Sequence, residues 1–217
     1  ALSLWAQGRV NSTFSRYSRV RSMTGMTGAE AARRLLNAQG IYDVTVQQIA
    51  GELTDHYDPR TKTVNLSQSV YGATSVAAIG VAAHECGHAM QDNEGYAPLR
   101  FRSALVPVAN FGSSLSWPLI LLGLVFGGLG SPLVEIGILM FSLAVLFQLV
   151  TLPVEYNASA RAVRLLDAQG ILAGEEVNGT RKVLNAAALT YVAAAATSIL
   201  QLLRLIILFG GRNRRDR

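Results

Sequence analysis

The chain has 217 residues, of which 50% are apolar and only 15% are charged. An average soluble domain carries about 25% charged residues, and a disordered chain needs low hydrophobicity with high charge, so composition excludes disorder and favours a lipid environment. A single cysteine excludes an internal disulfide framework. The net charge of +5 suits anionic lipid or membrane-flanking arginines better than nucleic acid, for which no motif is present.

In chain order, Ala1–Gln7 (ALSLWAQ) reads as the stub of a further hydrophobic helix, processed upstream and too short to span a bilayer. No secretory signal peptide is visible. Thr27-Gly28-Ala29-Glu30 has the threonine–glutamate interval of a capping box, and predicts a helix running to Gln39 and stopping at Gly40. Ala162–Ile171 echoes Ala32–Ile41, which reads as two helices with similar C-terminal caps rather than a duplication. Val44–Ile49 and Thr61–Ser67 are rich in valine and threonine and read as short strands. Asp58-Pro59-Arg60-Thr61 between them suits a type I turn. Thr74 or Ser75 can cap a further helix, ending before Gly95.

That helix carries the sharpest feature of the chain, His84-Glu85-Cys86-Gly87-His88, an HExxH motif holding two of the three histidines. Residues four apart share a helical face, so both imidazoles can reach one tetrahedral zinc. Glu85 lies beside them, suited to take a proton from a zinc-activated water and later deliver it to a leaving amine. Cys86 reads as a small buried hydrophobe.

A catalytic zinc normally has three protein ligands and one open position. His88 is followed by Ala89-Met90-Gln91, so the HExxHxxGxxH continuation is absent. The third ligand is therefore sought among downstream acidic residues or at His56. Glu155, following Pro153 at the polar end of an apolar run, is the best candidate. Asp92 and Glu94 are too close along the same helix, and Glu135 belongs at the opposite membrane face.

No charge occurs from Ser103 to Val134 or from Ile136 to Val154. Each run is long enough to cross a bilayer, which takes about 20 predominantly apolar residues. Gly127-Gly128-Leu129-Gly130-Ser131-Pro132 between them is a turn by composition. A third uncharged run, Val183–Leu203, is alanine-rich and is followed by Arg204 and then Leu205–Gly211. It reads as a third span, in preference to a half-inserted or surface-lying helix. Arg100 and Arg102 precede the first span and Arg161 and Arg164 follow the second, so the positive-inside rule places the HExxH site on the cytoplasmic side of a multi-pass protein of the cell membrane. The arginines at 212, 214, 215 and 217 lie outside if the third run spans, and inside if it re-enters or lies flat.

Three long segments carry a family resemblance: Tyr57–Tyr71 (YDPRTKTVNLSQSVY), Val81–Gly112 and Leu146–Ala162 (LFQLVTLPVEYNASARA). Through them the chain resembles the YugP-like neutral zinc metallopeptidases of bacteria. More remotely it looks like the HtpX and CAAX-prenyl-protease group of membrane gluzincins, in which a later helix supplies a glutamate ligand within E-[FY]-x-A-D. Glu155-Tyr156-x-Ala158 matches, and Ser159 stands where that group has an aspartate supporting a zinc-ligating histidine. The resemblance implies zinc held by His84, His88 and Glu155, with Glu85 as general base. It also implies an edge strand that pairs with extended substrate, for which Val64, Asn65 and Leu66 are candidates. Tyr156, Arg161, Arg164 and His56 are open alternatives for stabilising a developing oxyanion.

The expected fold is mainly α with a small β hairpin or sheet, a gluzincin-like zinc peptidase core fused to a transmembrane helical hairpin. Its parts are the stub at 1–7, a peptidase part at 8–102, the hairpin at 103–154, a third-ligand helix and connection at 155–182, an apolar helix at 183–211 and a basic tail at 212–217. The expected function is a membrane-embedded zinc endopeptidase acting on membrane-associated protein or peptide substrates. The competing readings are a non-catalytic zinc scaffold or adaptor, which needs a fourth ligand such as His56, and a metal sensor or transporter.

Overall fold

The computed structural model describes residues 2–128 and 131–209. The first helix, α1 (Leu2–Ser18), continues well past the expected stub. Helix α2 (Gly28–Ala38) opens on the predicted capping box. The Thr27 hydroxyl accepts from the Glu30 amide at 3.2 Å, while the Glu30 carboxylate accepts from the Thr27 amide at 2.8 Å. Such a cap contributes about 1 kcal/mol. The helix closes at Gly40, whose φ of +69° is left-handed. There Ile41 N–H donates to the Leu36 carbonyl and Gly40 N–H to that of Asn37. Ile171, Gly170, Leu166 and Asp167 repeat the same closure later in the chain, so the echoed sequences are indeed two similar caps.

Strands β1 (Thr45–Ile49), β2 (His56–Asp58) and β3 (Thr63–Ser67) form a sheet of order β1-β3-β2. β3 runs parallel to β1 and antiparallel to β2. This corrects the expected edge strand. Val64, Asn65 and Leu66 lie on the central strand, buried at every position, with both edges already paired. The reason is β2, too short and too polar to register as a strand in sequence, which takes the outer place.

After the single-turn helix α3 (Gln68–Tyr71) comes α4 (Val76–Asn93), capped by Ser75, whose side chain accepts from the Ala78 amide at 3.2 Å. It is the central element, buried along most of its length against α2, β3 and two of the three long helices that follow. Its small residues allow this. A Cβ on Gly87 would stand 2.6 Å from the Ala158 carbonyl oxygen, so the backbone of α4 touches that of the helix carrying Ala158 beside the HExxH motif.

Helices α5 (Ala97–Gly127), α6 (Pro132–Ala168) and α7 (Glu175–Phe209) are each long and apolar enough to cross a membrane. α5 and α6 pack through small residues: Cβ atoms on Gly112 and Gly137 would meet the Met140 and Ser116 carbonyl oxygens at 2.7 and 2.8 Å. Phe111, Trp117, Leu121, Phe126 and Leu139 point outward, exposed. Small residues inside and large apolar ones outside is the pattern of helices packed in lipid. α6 passes through Pro153 without a break, so the second apolar run and the segment bearing Glu155 form one rigid rod. At 1.5 Å per residue, Glu135 and Glu155 lie about 30 Å apart along it, one hydrocarbon thickness. The turn residues 129 and 130 and the basic tail at 212–217 fall outside the described residues, as do the last two residues of the apolar segment 183–211.

Candidate metal centre

α4 presents His84 and His88 one turn apart, ring centroids 4.8 Å apart and nearly perpendicular. α6 brings Glu155 to both. Its Oε2 lies 3.2 Å from His84 Nε2 and 3.6 Å from His88 Nε2. A tetrahedral zinc site with arms of 2.0–2.1 Å has donor–donor edges of about 3.3–3.4 Å. Among the described residues, these are the histidine, cysteine and acidic side chains gathered closely enough to hold an ion.

The outer hydrogen bonds decide which ring nitrogen is available. Gln91 Nε2 donates to the Val154 carbonyl and to Asn157 Oδ1, both at 2.9 Å. This turns Gln91 Oε1 toward His88 Nδ1, 3.0 Å away. An amide oxygen only accepts, so His88 Nδ1 carries the proton and Nε2 offers a lone pair. His84 Nδ1 meets Ser159 Oγ at 3.0 Å, which leaves its Nε2 toward Glu155 as well. Ser159 thus occupies the supporting position, as a neutral hydroxyl. The donor set, two Nε2 lone pairs and a carboxylate, suits zinc.

Burial disfavours a charged His88, but the hydrogen bond to Glu155 and the charges of Glu85 and Glu155 outweigh it and hold the pKa above the usual histidine value. Arg102 Nη1 lies 3.4 Å from Glu155 Oε1, anchoring the carboxylate oxygen turned away from His84 and His88. Gln91→Ala is expected to lower zinc affinity by roughly 10–100-fold, read by competition with a chromogenic chelator. Unchanged affinity would mean that the Gln91 bond does not orient His88.

Two clefts meet over this cluster, sharing Asp55, His84, Glu85, Glu155 and Tyr191. One, of about 880 Å³, has apolar walls including Phe14, Leu53, Val81 and Val183. The other, of about 1460 Å³, runs along His56, Tyr57 and Asp58 of β2 to Arg102 and Pro107 of α5. Asp55 accepts from the Ser67 amide at 2.7 Å and from its hydroxyl, while burial pushes its pKa up. It ties the end of β3 to the cleft.

The other sequence candidates are dispersed. His56 reaches the cleft but not the ligand cluster; its Nδ1 faces the Thr54 carbonyl at 2.8 Å and its Nε2 faces Asn65 Nδ2 at 3.2 Å. Asp92 accepts from the Tyr57 hydroxyl at 2.8 Å. Arg161 pairs with Glu94 at 2.6 Å and stacks over Tyr96. Tyr156 and Arg164 open onto other clefts. Cys86 packs against α2, its thiol 3.6 Å from the Ala32 carbonyl and its pKa pushed up by burial. Gln91, Arg102 and Tyr191 escaped sequence reading. Gln91 alone left a signal, three residues past His88 on the same helical face.

The family described as "Putative neutral zinc metallopeptidase" matches residues 1–210. "Putative membrane protease YugP" of Bacillus subtilis (strain 168) is 50% identical over 208 residues, covering 96% of this chain and 92% of the relative. No solved structure is significantly similar. Zinc is therefore the cofactor that both the family and the donor set indicate, and the chain belongs to the neutral zinc metallopeptidase family.

Proposed function

We propose that this protein is a membrane-embedded zinc endopeptidase of gluzincin type, hydrolysing exposed or unfolded peptide segments close to the bilayer. One observation carries the reading: His84, His88 and Glu155 converge at the junction of two clefts that Glu85 also lines. When bound, zinc supplies a Lewis acid and lowers the pKa of water toward about 7. Glu85, buried yet facing both clefts, takes the proton of the attacking water and returns it to the leaving amine. Tyr191, which lines both clefts beside Glu155, offers a hydroxyl to the carbonyl oxygen as it gains charge. Arg102, which also lines the larger cleft, keeps Glu155 in place.

The strand available to extended substrate is β2. It is the outer strand beside the larger cleft, and an unpaired edge binds peptide through backbone hydrogen bonds. The apolar cleft then receives an apolar side chain next to the scissile bond. Glu155 directly follows the apolar run of α6, and Val106 and Pro107 of α5 line the larger cleft, which supports an active site at the membrane interface. Arg100, Arg102, Arg161 and Arg164 on that side support a cytoplasmic location. A closed structural zinc site is disfavoured, because His56 is engaged elsewhere.

The test uses the full chain reconstituted with a membrane-anchored reporter bearing an unstructured juxtamembrane segment. Cleavage should stop on chelation and return with zinc. Cleavage indifferent to chelator would refute the reading. Tyr191→Phe should lower kcat roughly 10²–10³-fold with KM and zinc content unchanged; an unaltered kcat would remove Tyr191 from the mechanism.

A further inference from the structure

On the side of α1 away from the metal centre, α1 and α7 enclose a third cleft of about 1250 Å³. Arg9, Thr13 and Arg16 project into it from successive turns of α1, Lys182 and Asn185 from α7, and Tyr156 from α6. No carboxylate lines it. Among the described residues Arg9, Arg16 and Lys182 form no ion pair, and all three are exposed. Three unpaired cations around one cleft, with hydroxyl and amide donors between them, make a site for a phosphate.

The level of the cleft identifies the source. Tyr156 lies just beyond the end of the apolar run of α6, and Lys182 immediately precedes the apolar run of α7. Both ends fall at one membrane interface, where lipid phosphates lie. α1 is also the wall between this cleft and the apolar cleft of the metal centre, which it lines with Gln7, Val10 and Phe14. Its one fully buried residue is Ala6, and it is held mainly by α7, with Phe14 and Tyr17 half-buried against the core.

We propose that Arg9, Arg16 and Lys182 bind the phosphate of an anionic phospholipid headgroup, which clamps α1 against α7 and so sets one wall of the metal-centre cleft. The proposal does not rest on peptidase activity, and its test does not read it. Native mass spectrometry of the full chain in detergent, with phosphatidylglycerol or phosphatidylcholine as probe, should show about a hundredfold preference for phosphatidylglycerol. Arg9→Gln/Lys182→Gln should lower that preference about thirtyfold. Arg19→Gln/Arg204→Gln removes the same charge elsewhere and should change it little. Hydrogen exchange of α1 should slow in phosphatidylglycerol nanodiscs relative to phosphatidylcholine ones. Equal binding of both lipids, or equal losses in both double variants, overturns the proposal. Equal protection of α1 by inorganic phosphate in phosphatidylcholine nanodiscs overturns the lipid source.

Discussion

Glu85→Gln is expected to abolish peptide hydrolysis while zinc stays bound. Glu85 lies outside the ligand trio and reaches both clefts. The amide preserves its size and hydrogen-bonding reach but cannot accept the proton. Loss of a positioned general base costs about 10²–10⁴-fold. The experiment measures zinc stoichiometry and reporter cleavage on one preparation. Full zinc with no cleavage supports the assigned role. Full zinc with cleavage intact would pass the proton transfer to another group. Loss of zinc would show that Glu85 supports the metal centre itself.

Glu155→Ala should empty the metal centre. The carboxylate is 2% exposed and its Oε2 faces both Nε2 atoms. Removing an outer-shell partner of a metal ligand costs 10–100-fold in affinity, so removing the ligand should cost more than about a hundredfold. Arg102 also loses its partner, leaving a cation where a divalent ion must sit. The α2–α4 core is built from apolar side chains that do not involve Glu155. The variant should therefore fold, with its melting temperature no longer raised by added zinc. Zinc retained at one equivalent would move the third ligand elsewhere and remove the gluzincin reading.

Much of this is legible in the amino-acid sequence. The capping box at Thr27, the closures at Gly40 and Gly170 and the start of α4 at Ser75 each depend on a few consecutive residues. So does the meeting of His84 and His88, which helical periodicity places on one face. The long apolar helices follow from uncharged runs that bilayer thickness makes recognisable. Zinc itself follows from HExxH and family likeness.

What lay beyond the sequence was every relation between distant segments. That β3 is central depends on whether the short polar segment His56–Asp58 pairs with it, a choice made by packing and not by propensity. Gln91 bonds to His88 only because Gly87 lets α4 approach α6 closely enough for Val154 and Asn157 to hold its amide. Arg102 and Tyr191 reach the metal centre because α5 and α7 pack around α6, and neither carries a local motif. Sequence by itself determined most of the helices, two of the three strands, the pairing of the two histidines and their metal, because those rest on local backbone preference and short spacing. Tertiary structure alone decided the strand that faces the cleft, the bonds that orient the two histidines and the groups surrounding the candidate metal centre, because these depend on contacts between segments whose separation along the chain encodes no distance in space.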